Sequence, residues 1–349
     1  MNDLKYLVAY INPLLAAVGL WFGGVWAWGA VIFSFILIPI VDQIGPIDTS
    51  NVTEFERKEL LGKRIFDWLL YLNIPVVYAI VGFFIVQLLQ TSMQTSVLVG
   101  NMLSVGIVIG SCGINVAHEL GHRKEKYEQI FGQILLIPAL YTHFFIEHNR
   151  GHHRFVATDQ YPASAKKGDW LFWFWAKSLA GSYISAWKLE ADRLRKARTS
   201  FWSIHNQMFQ FSVVQLLYLG IILYFTSWTV LSIVSLSGLI GVLLLETINY
   251  LEHYGLRRKK LENGRYERVR PIHSWNANYQ FGRIVLYELT RHSDHHYIAS
   301  KKYQVLDHHE EAPELPFGYP AMILIALVPP LWFFIMDKRI PASSLGVGS

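Results

Sequence analysis

Eight histidines fall into three short windows, His118 with His122, His148 with His152 and His153, and His292 with His295 and His296; a ninth, His253, ends an apolar run. Imidazole nitrogens bind transition metals, and a spacing of three or four residues puts two rings on one face of a helix. His118 and His122 can then hold one ion. His148 and His152 repeat that spacing while His153 points about 100° away, so a helix there can hand ligands to two ions. His292, His295 and His296 lie within one turn and can all face inward. Zinc is satisfied by four ligands, usually with cysteine, whereas eight or nine imidazoles imply two ions with open positions, and iron is the best candidate. The set departs from the two-histidine, one-carboxylate arrangement of many non-haem iron sites, so this identification rests on count and context. Carboxylates beside ligands orient imidazoles by accepting their second N–H. Glu119, Glu147, Glu252 and Asp294 are placed for that, or for helix-surface ion pairs with neighbours such as Arg123 and Arg150, and Asn249 lies one turn before His253 and can likewise hold it.

The elements that must position these residues are apolar. Hydrophobic residues make up 52% of the 349-residue chain and charged ones 16%, which is too apolar for a soluble protein of this length. A bilayer core of ~30 Å needs roughly 20 apolar residues per helix. Six windows qualify, at residues 6–22, 25–44, 67–89, 96–117, 209–225 and 230–250. The expected fold is therefore an all-α integral membrane protein of one domain, six transmembrane helices capped by histidine-rich segments over 118–208 and 251–349. The first window has no small-residue cleavage site and runs directly into the second, which reads as a membrane-entering hairpin rather than a cleavable signal. Two further apolar stretches are not counted as spans. Phe131 to Ile146 is short, contains Pro138 and has histidine windows at both ends; Gly318 to Met336 carries Pro329 and Pro330. Both are expected to be interfacial or re-entrant. Trp170, Trp173, Trp175 and Trp187 mark a helix expected at the headgroup level, followed by a basic segment from Lys188 to Arg198.

Positive loops stay cytoplasmic. The turns at residues 23–24, 90–95 and 226–229 hold no Lys or Arg, whereas Arg57, Lys58, Lys63, Arg64, Arg123, Lys124 and every later basic residue lie in the alternate segments. The histidine windows and both termini are thus expected to be cytoplasmic, and the net charge of +5 reads as an inner-leaflet contact surface rather than a nucleic-acid footprint. Cys112 is the only cysteine, so the chain has no disulfide framework and no iron–sulfur or rubredoxin module of its own. Electrons for any redox reaction must come from another protein.

Four strings carry a family resemblance: Ala117-His-Glu-Leu-Gly-His-Arg-Lys124, Phe144-Phe-Ile-Glu-His-Asn-Arg-Gly-His-His-Arg154, Asn249-Tyr-Leu-Glu-His-Tyr-Gly-Leu256 and Arg291-His-Ser-Asp-His-His296. They resemble the signatures of the integral-membrane alkane 1-monooxygenases, within the membrane desaturase and hydroxylase superfamily. His273-Ser-Trp-Asn276 and Leu315-Pro-Phe-Gly-Tyr-Pro320 extend the resemblance over most of the chain. It implies His118, His122, His148, His152, His153, His253, His292, His295 and His296 as ligands of two Fe ions, with no catalytic side chain beyond the ligands. The division of these ligands between the ions is not readable from the sequence. His273 is expected behind the ligands; His308 and His309 are expected at the surface, and His143 and His205 as non-ligands. The implied reaction is O2-dependent terminal hydroxylation of medium-to-long n-alkanes to 1-alkanols, with electrons from rubredoxin and its NAD(P)H-dependent reductase, in a bacterial inner membrane. The family pattern places a size-limiting position on the second span, where the anchor from Ile38 to Asp42 puts Ser34. The alternatives are another histidine-box enzyme, a fatty acyl desaturase or a xylene-type methyl hydroxylase, and, more remotely, a metal transporter. Transport predicts ionisable ligands near the bilayer midplane, whereas these clusters lie at the ends of spans.

Overall fold

The structure, a computed structural model, describes residues 3–345. Helices make up its long elements, and the β features among the described residues are isolated bridges. Six helical runs are long and apolar enough to cross a membrane: Asp3–Phe22, Gly24–Ile44, Ile65–Gln90, Thr95–Gly121, Gln207–Phe225 and Trp228–His253. Each contains one of the six expected windows and extends it at one or both ends, so the all-α, six-span class holds. The chain divides into two compact units, one of Met1–Leu37, Arg64–Glu147 and Ser185–Leu245, the other of Ile38–Lys63, His148–Ile184 and Glu246–Ser349.

In the first unit, helices turn apolar side chains such as Leu14, Trp21, Val25, Leu216 and Phe225 outward, as suits a lipid environment. Gly23 and Gly24, at φ +63° and +55°, make the turn between the first two spans, a conformation that costs glycine little. Helix-to-helix contact relies on small residues. A β-carbon on Gly106 of the fourth span would lie 2.6 Å from the Ile240 side chain, and one on Gly241 would lie 3.0 Å from the Gly106 carbonyl. Close backbone approach of this kind is how apolar helices associate where lipid is as apolar as leucine. The fourth span changes register before its end: Thr95–Val108 is α-helical, Ile109–Ile114 is π-helical, and Asn115–Gly121 resumes the α form. A second π segment, Phe33–Leu37, carries Ser34, whose hydroxyl donates to the Asn12 side chain at 2.9 Å.

The two uncounted apolar stretches form no spanning helix. Lys126–Leu136 is followed by turns through Pro138, and Tyr319–Ala326 is separated from Pro329–Met336 by a break ahead of the two prolines. Eight-residue helices are about 12 Å long, far short of a bilayer.

The second unit is rich in buried polar groups. Thr53 and Glu56 form a capping box on helix Glu54–Gly62, and Arg57 of that helix pairs with Asp307 at 2.8 Å and donates to the Val305 carbonyl at 3.0 Å. The Asp42 carboxylate accepts the Gly282 N–H at 2.8 Å. Helix Leu171–Lys196 is the tryptophan-marked element. Trp170 and Trp173 are exposed at its start, while the Trp175 indole N–H donates to Thr247 at 3.1 Å. In the first unit Trp187 packs on Phe201 and Phe209.

Candidate metal centre

In the first unit, the α-helical end of the fourth span brings His118 and His122 together, ring centroids 5.2 Å apart and edge to face. This is the same-face pair that the spacing predicts. Glu119, between them, pairs with Arg123 at 2.9 Å, and Arg123 lies 3.3 Å from Asp67. Glu147 is buried at the end of helix Phe144–Glu147. His143 is buried as well and stacks edge-on against Tyr141, and burial pushes it down to about 4.

The second unit holds the other seven histidines of the expected ligand set, and it sorts them into two groups. His152, His253, His292 and His296 are all buried, with ligand nitrogens within 4.8 Å of one another. The His152 and His296 Nε2 atoms are 2.9 Å apart, and those of His253 and His292 are 3.3 Å apart. Two nitrogens about 2.1 Å from one ion, at the angles of octahedral or tetrahedral coordination, are separated by about 3.0–3.4 Å. The donor spacing therefore fits a shared cation. Burial first, then the neighbouring imidazoles, holds His296 well below the usual histidine range, which keeps its lone pair free. His148, His153 and His295 form the second group, with His148 and His153 Nε2 3.0 Å apart and the His153 and His295 rings 4.9 Å apart.

This sorting departs from the spacing argument at His148. The α-helical expectation puts His148 and His152 together and turns His153 away. Residues His148–His152 are instead π-helical, and i→i+5 bonding brings residue 153 over residue 148. His148 and His153 thus share one group, and His152 joins the other. The helix His292–Tyr297 is split the same way, with His292 and His296 in the first group and His295 in the second.

The groups behind the rings also differ from the expected ones. His253 Nδ1 takes the His273 carbonyl at 3.2 Å, so His273 contributes through its backbone, while its own Nδ1 accepts the Arg270 N–H at 3.0 Å. The Asn249 Oδ1 atom, one turn before His253, makes no hydrogen bond with the described residues. Glu252, buried, places Oε2 3.0 Å from His292 Nε2 and accepts the Tyr319 hydroxyl on Oε1 at 3.0 Å. Its carboxylate faces the ligand nitrogens of the four-histidine group. Asp294 binds its own surroundings: it accepts from His309 Nε2 at 2.7 Å, Lys301 at 2.6 Å and the Asp307 N–H at 2.8 Å. His309 is therefore a structural partner of the ligand helix rather than a free surface histidine. His308 Nδ1 lies 3.2 Å from Asn278, and His205 is exposed.

Three contributors have no motif of their own in the histidine windows. Tyr319 holds Glu252, and Tyr161 places its hydroxyl 3.2 Å from His152 Nδ1. Asn276 accepts the Ser293 N–H at 2.8 Å and donates to its hydroxyl at 2.7 Å, capping the ligand helix from outside. The signal for two of them lies in the Asn276 and Tyr319 strings, whose one histidine, His273, reaches His253 through its backbone carbonyl and so points to support rather than ligation.

Converging buried imidazoles on a helical membrane chain define a class of membrane protein whose histidine groups could hold metal, and the comparisons place it in a family. The model of the fatty acid desaturase family matches residues 94–326. The chain is 39% identical to the alkane 1-monooxygenase of Acinetobacter baylyi, over 97% of this chain and 85% of that protein, and 37% identical to alkane 1-monooxygenase 1 of Pseudomonas aeruginosa, over 92% and 85%. The hydroxylase component of a xylene/toluene monooxygenase from Pseudomonas putida is 26% identical over 97% and 89%. The chain belongs to the alkane 1-monooxygenase branch of the fatty acid desaturase family; it is a multi-pass membrane monooxygenase.

Proposed function

We propose that this protein hydroxylates the terminal methyl group of medium-to-long n-alkanes to 1-alkanols at a site of two irons. The observation that carries the proposal is the convergence of seven histidines into two groups on a chain that matches alkane 1-monooxygenases over nearly its whole length. His152, His253, His292 and His296 hold one ion. His148, His153 and His295 take part in holding the other, and the family resemblance adds His118 and His122 to the ligands. One oxygen atom of O2 enters the terminal C–H bond and the other leaves as water, which consumes two electrons and two protons. Bound iron supplies the oxidising power that a saturated C–H bond demands and no side chain offers.

The protein's own groups do the rest. Buried neutral imidazoles offer lone pairs without competing protons, and the His273 carbonyl fixes His253 as the tautomer whose Nε2 is free. Burial of the four-histidine group keeps bulk water from a reactive centre. The alkane has no polar handle, so chain-length selection is steric, at about 0.8 kcal/mol per buried methylene. Ser34, a small residue on the second span, is proposed to leave depth for the chain. Cys112 alone cannot hold a redox centre, so electrons come from rubredoxin, itself reduced by an NAD(P)H-dependent reductase. The family reading supplies a bacterial inner membrane, and the Lys and Arg asymmetry of the loops favours placing the histidines and termini on its cytoplasmic side.

The test is iron content and NADH-driven oxidation of octane and hexadecane in membranes supplied with rubredoxin and its reductase. The wild type is expected to carry two irons and form 1-alkanols; His295→Ala is expected to lose iron and at least about 100-fold in activity. Iron without alkanol from either alkane would instead favour a desaturase or a xylene-type hydroxylase. A chain without iron would overturn the ligand assignment.

A further inference from the structure

Tyr161 lies outside every histidine window, yet its hydroxyl is 3.2 Å from His152 Nδ1, and both residues are buried, 5% and 3% exposed. On the other side of the same ring, Nε2 faces His296 Nε2 at 2.9 Å. With Nε2 turned to the shared donors, Nδ1 is the nitrogen that carries the proton, and the phenol oxygen is its acceptor. The tyrosine is held in place by its own loop. The Tyr161 carbonyl accepts the Ser164 N–H at 3.1 Å, and Pro162 sits so close to helix Leu171–Lys196 that a β-carbon on Gly181 would lie 2.3 Å from the proline ring. Proline fixes the chain just past Tyr161, and the glycine admits it.

We infer that Tyr161 is a positioning residue for the four-histidine metal site: its phenol fixes the tautomer and ring orientation of His152 and sets how strongly that imidazole donates to the ion. A phenol is a neutral acceptor. It withdraws less proton character from Nδ1–H than a carboxylate would, so His152 is a weaker donor than a carboxylate-backed histidine and its ion a stronger Lewis acid. This inference rests on the reading of His152, His253, His292 and His296 as one ion's ligands.

The experiment is a Co2+ titration of the purified full chain in detergent, followed by competition with a chelator and by the visible d–d spectrum. The wild type is expected to bind two ions. Tyr161→Phe, which keeps the ring and loses the acceptor, is expected to weaken one of the two by about 10–100-fold and to shift its d–d bands, with the other ion unchanged. If Tyr161→Phe does not accumulate, the comparison moves to Tyr161→Gln, which can accept from Nδ1, against Tyr161→Leu, which cannot; the Gln variant is expected to bind at least about ten-fold more tightly. Unchanged affinity and spectrum in the Phe variant, or equal binding by the Gln and Leu variants, overturns the inference alone. A wild type that binds no ion overturns the metal-site reading and takes this inference with it.

Discussion

Lone pairs of neutral imidazoles aimed at one another at 2.9 and 3.3 Å repel unless a proton or a cation lies between them. The residues around them hold that arrangement together, and they do so by different means. His253 leans on a backbone carbonyl and Glu252 on a tyrosine, while Asp294 faces away from the ligand rings toward His309, Lys301 and the Asp307 amide. Asp294 therefore ties the loop that follows the ligand helix to the helix itself. Replacing it by alanine leaves the half-buried Lys301 with Asp307 alone and frees an amide that was satisfied. Asp294→Ala is expected to destabilise the protein by roughly 2–4 kcal/mol and to lower iron occupancy, read as a drop in melting temperature and by metal analysis. The presence of a carboxylate beside each histidine window is visible in the sequence. Which way it faces depends on groups 7 to 15 residues further on, and no local rule reports that.

At the scale of elements, π-helical segments decide the sorting of ligands. An α-helix over residues 148–153 would set His148 with His152; the π segment sets His148 with His153 instead and releases His152 to the four-histidine group. A similar π segment precedes the helical turn that carries His118 and His122. The spans themselves depend on close backbone approach, with Gly106 against Ile240 and Gly241 against Gly106. Gly106→Val adds three carbons where one would already be 2.6 Å from Ile240. That variant is expected to lose folded yield and several degrees of thermal stability in detergent, while Gly82→Ala, where a β-carbon meets nothing within 4 Å, is expected to be neutral; fluorescence-detected size exclusion reads both. The six spans were legible because length and hydropathy suffice to read them. The π registers were not, since an inserted residue in a helix leaves no mark on apolar composition.

For the whole molecule, acid is a specific weakness. His143 is kept neutral by burial, its proton affinity lowered to about 4, while in the unfolded chain it titrates at about 6.5. Below that upper value the unfolded state takes up a proton that the folded state refuses, so the contribution to stability falls as pH drops from about 6.5 to about 4 and levels off below. The melting temperature in detergent is expected to fall through this window, and His143→Phe, which removes the titrating group, is expected to flatten part of the decline. A pH profile identical in the variant would show that His143 takes no part in it.

The sequence by itself determined the class of this protein: six spans, and nine histidines in strings that match one membrane-enzyme family. Those properties are local, because hydropathy windows, residue counts and short motifs need no neighbour to be read. Only the tertiary structure decided how seven of those histidines divide into groups of four and three, that His253 is held by a carbonyl twenty residues away, and that Tyr161 and Tyr319 stand behind the site. Each of these turns on helix register and long-range approach, and side chains far apart in the chain become partners only when packing brings them within hydrogen-bond distance.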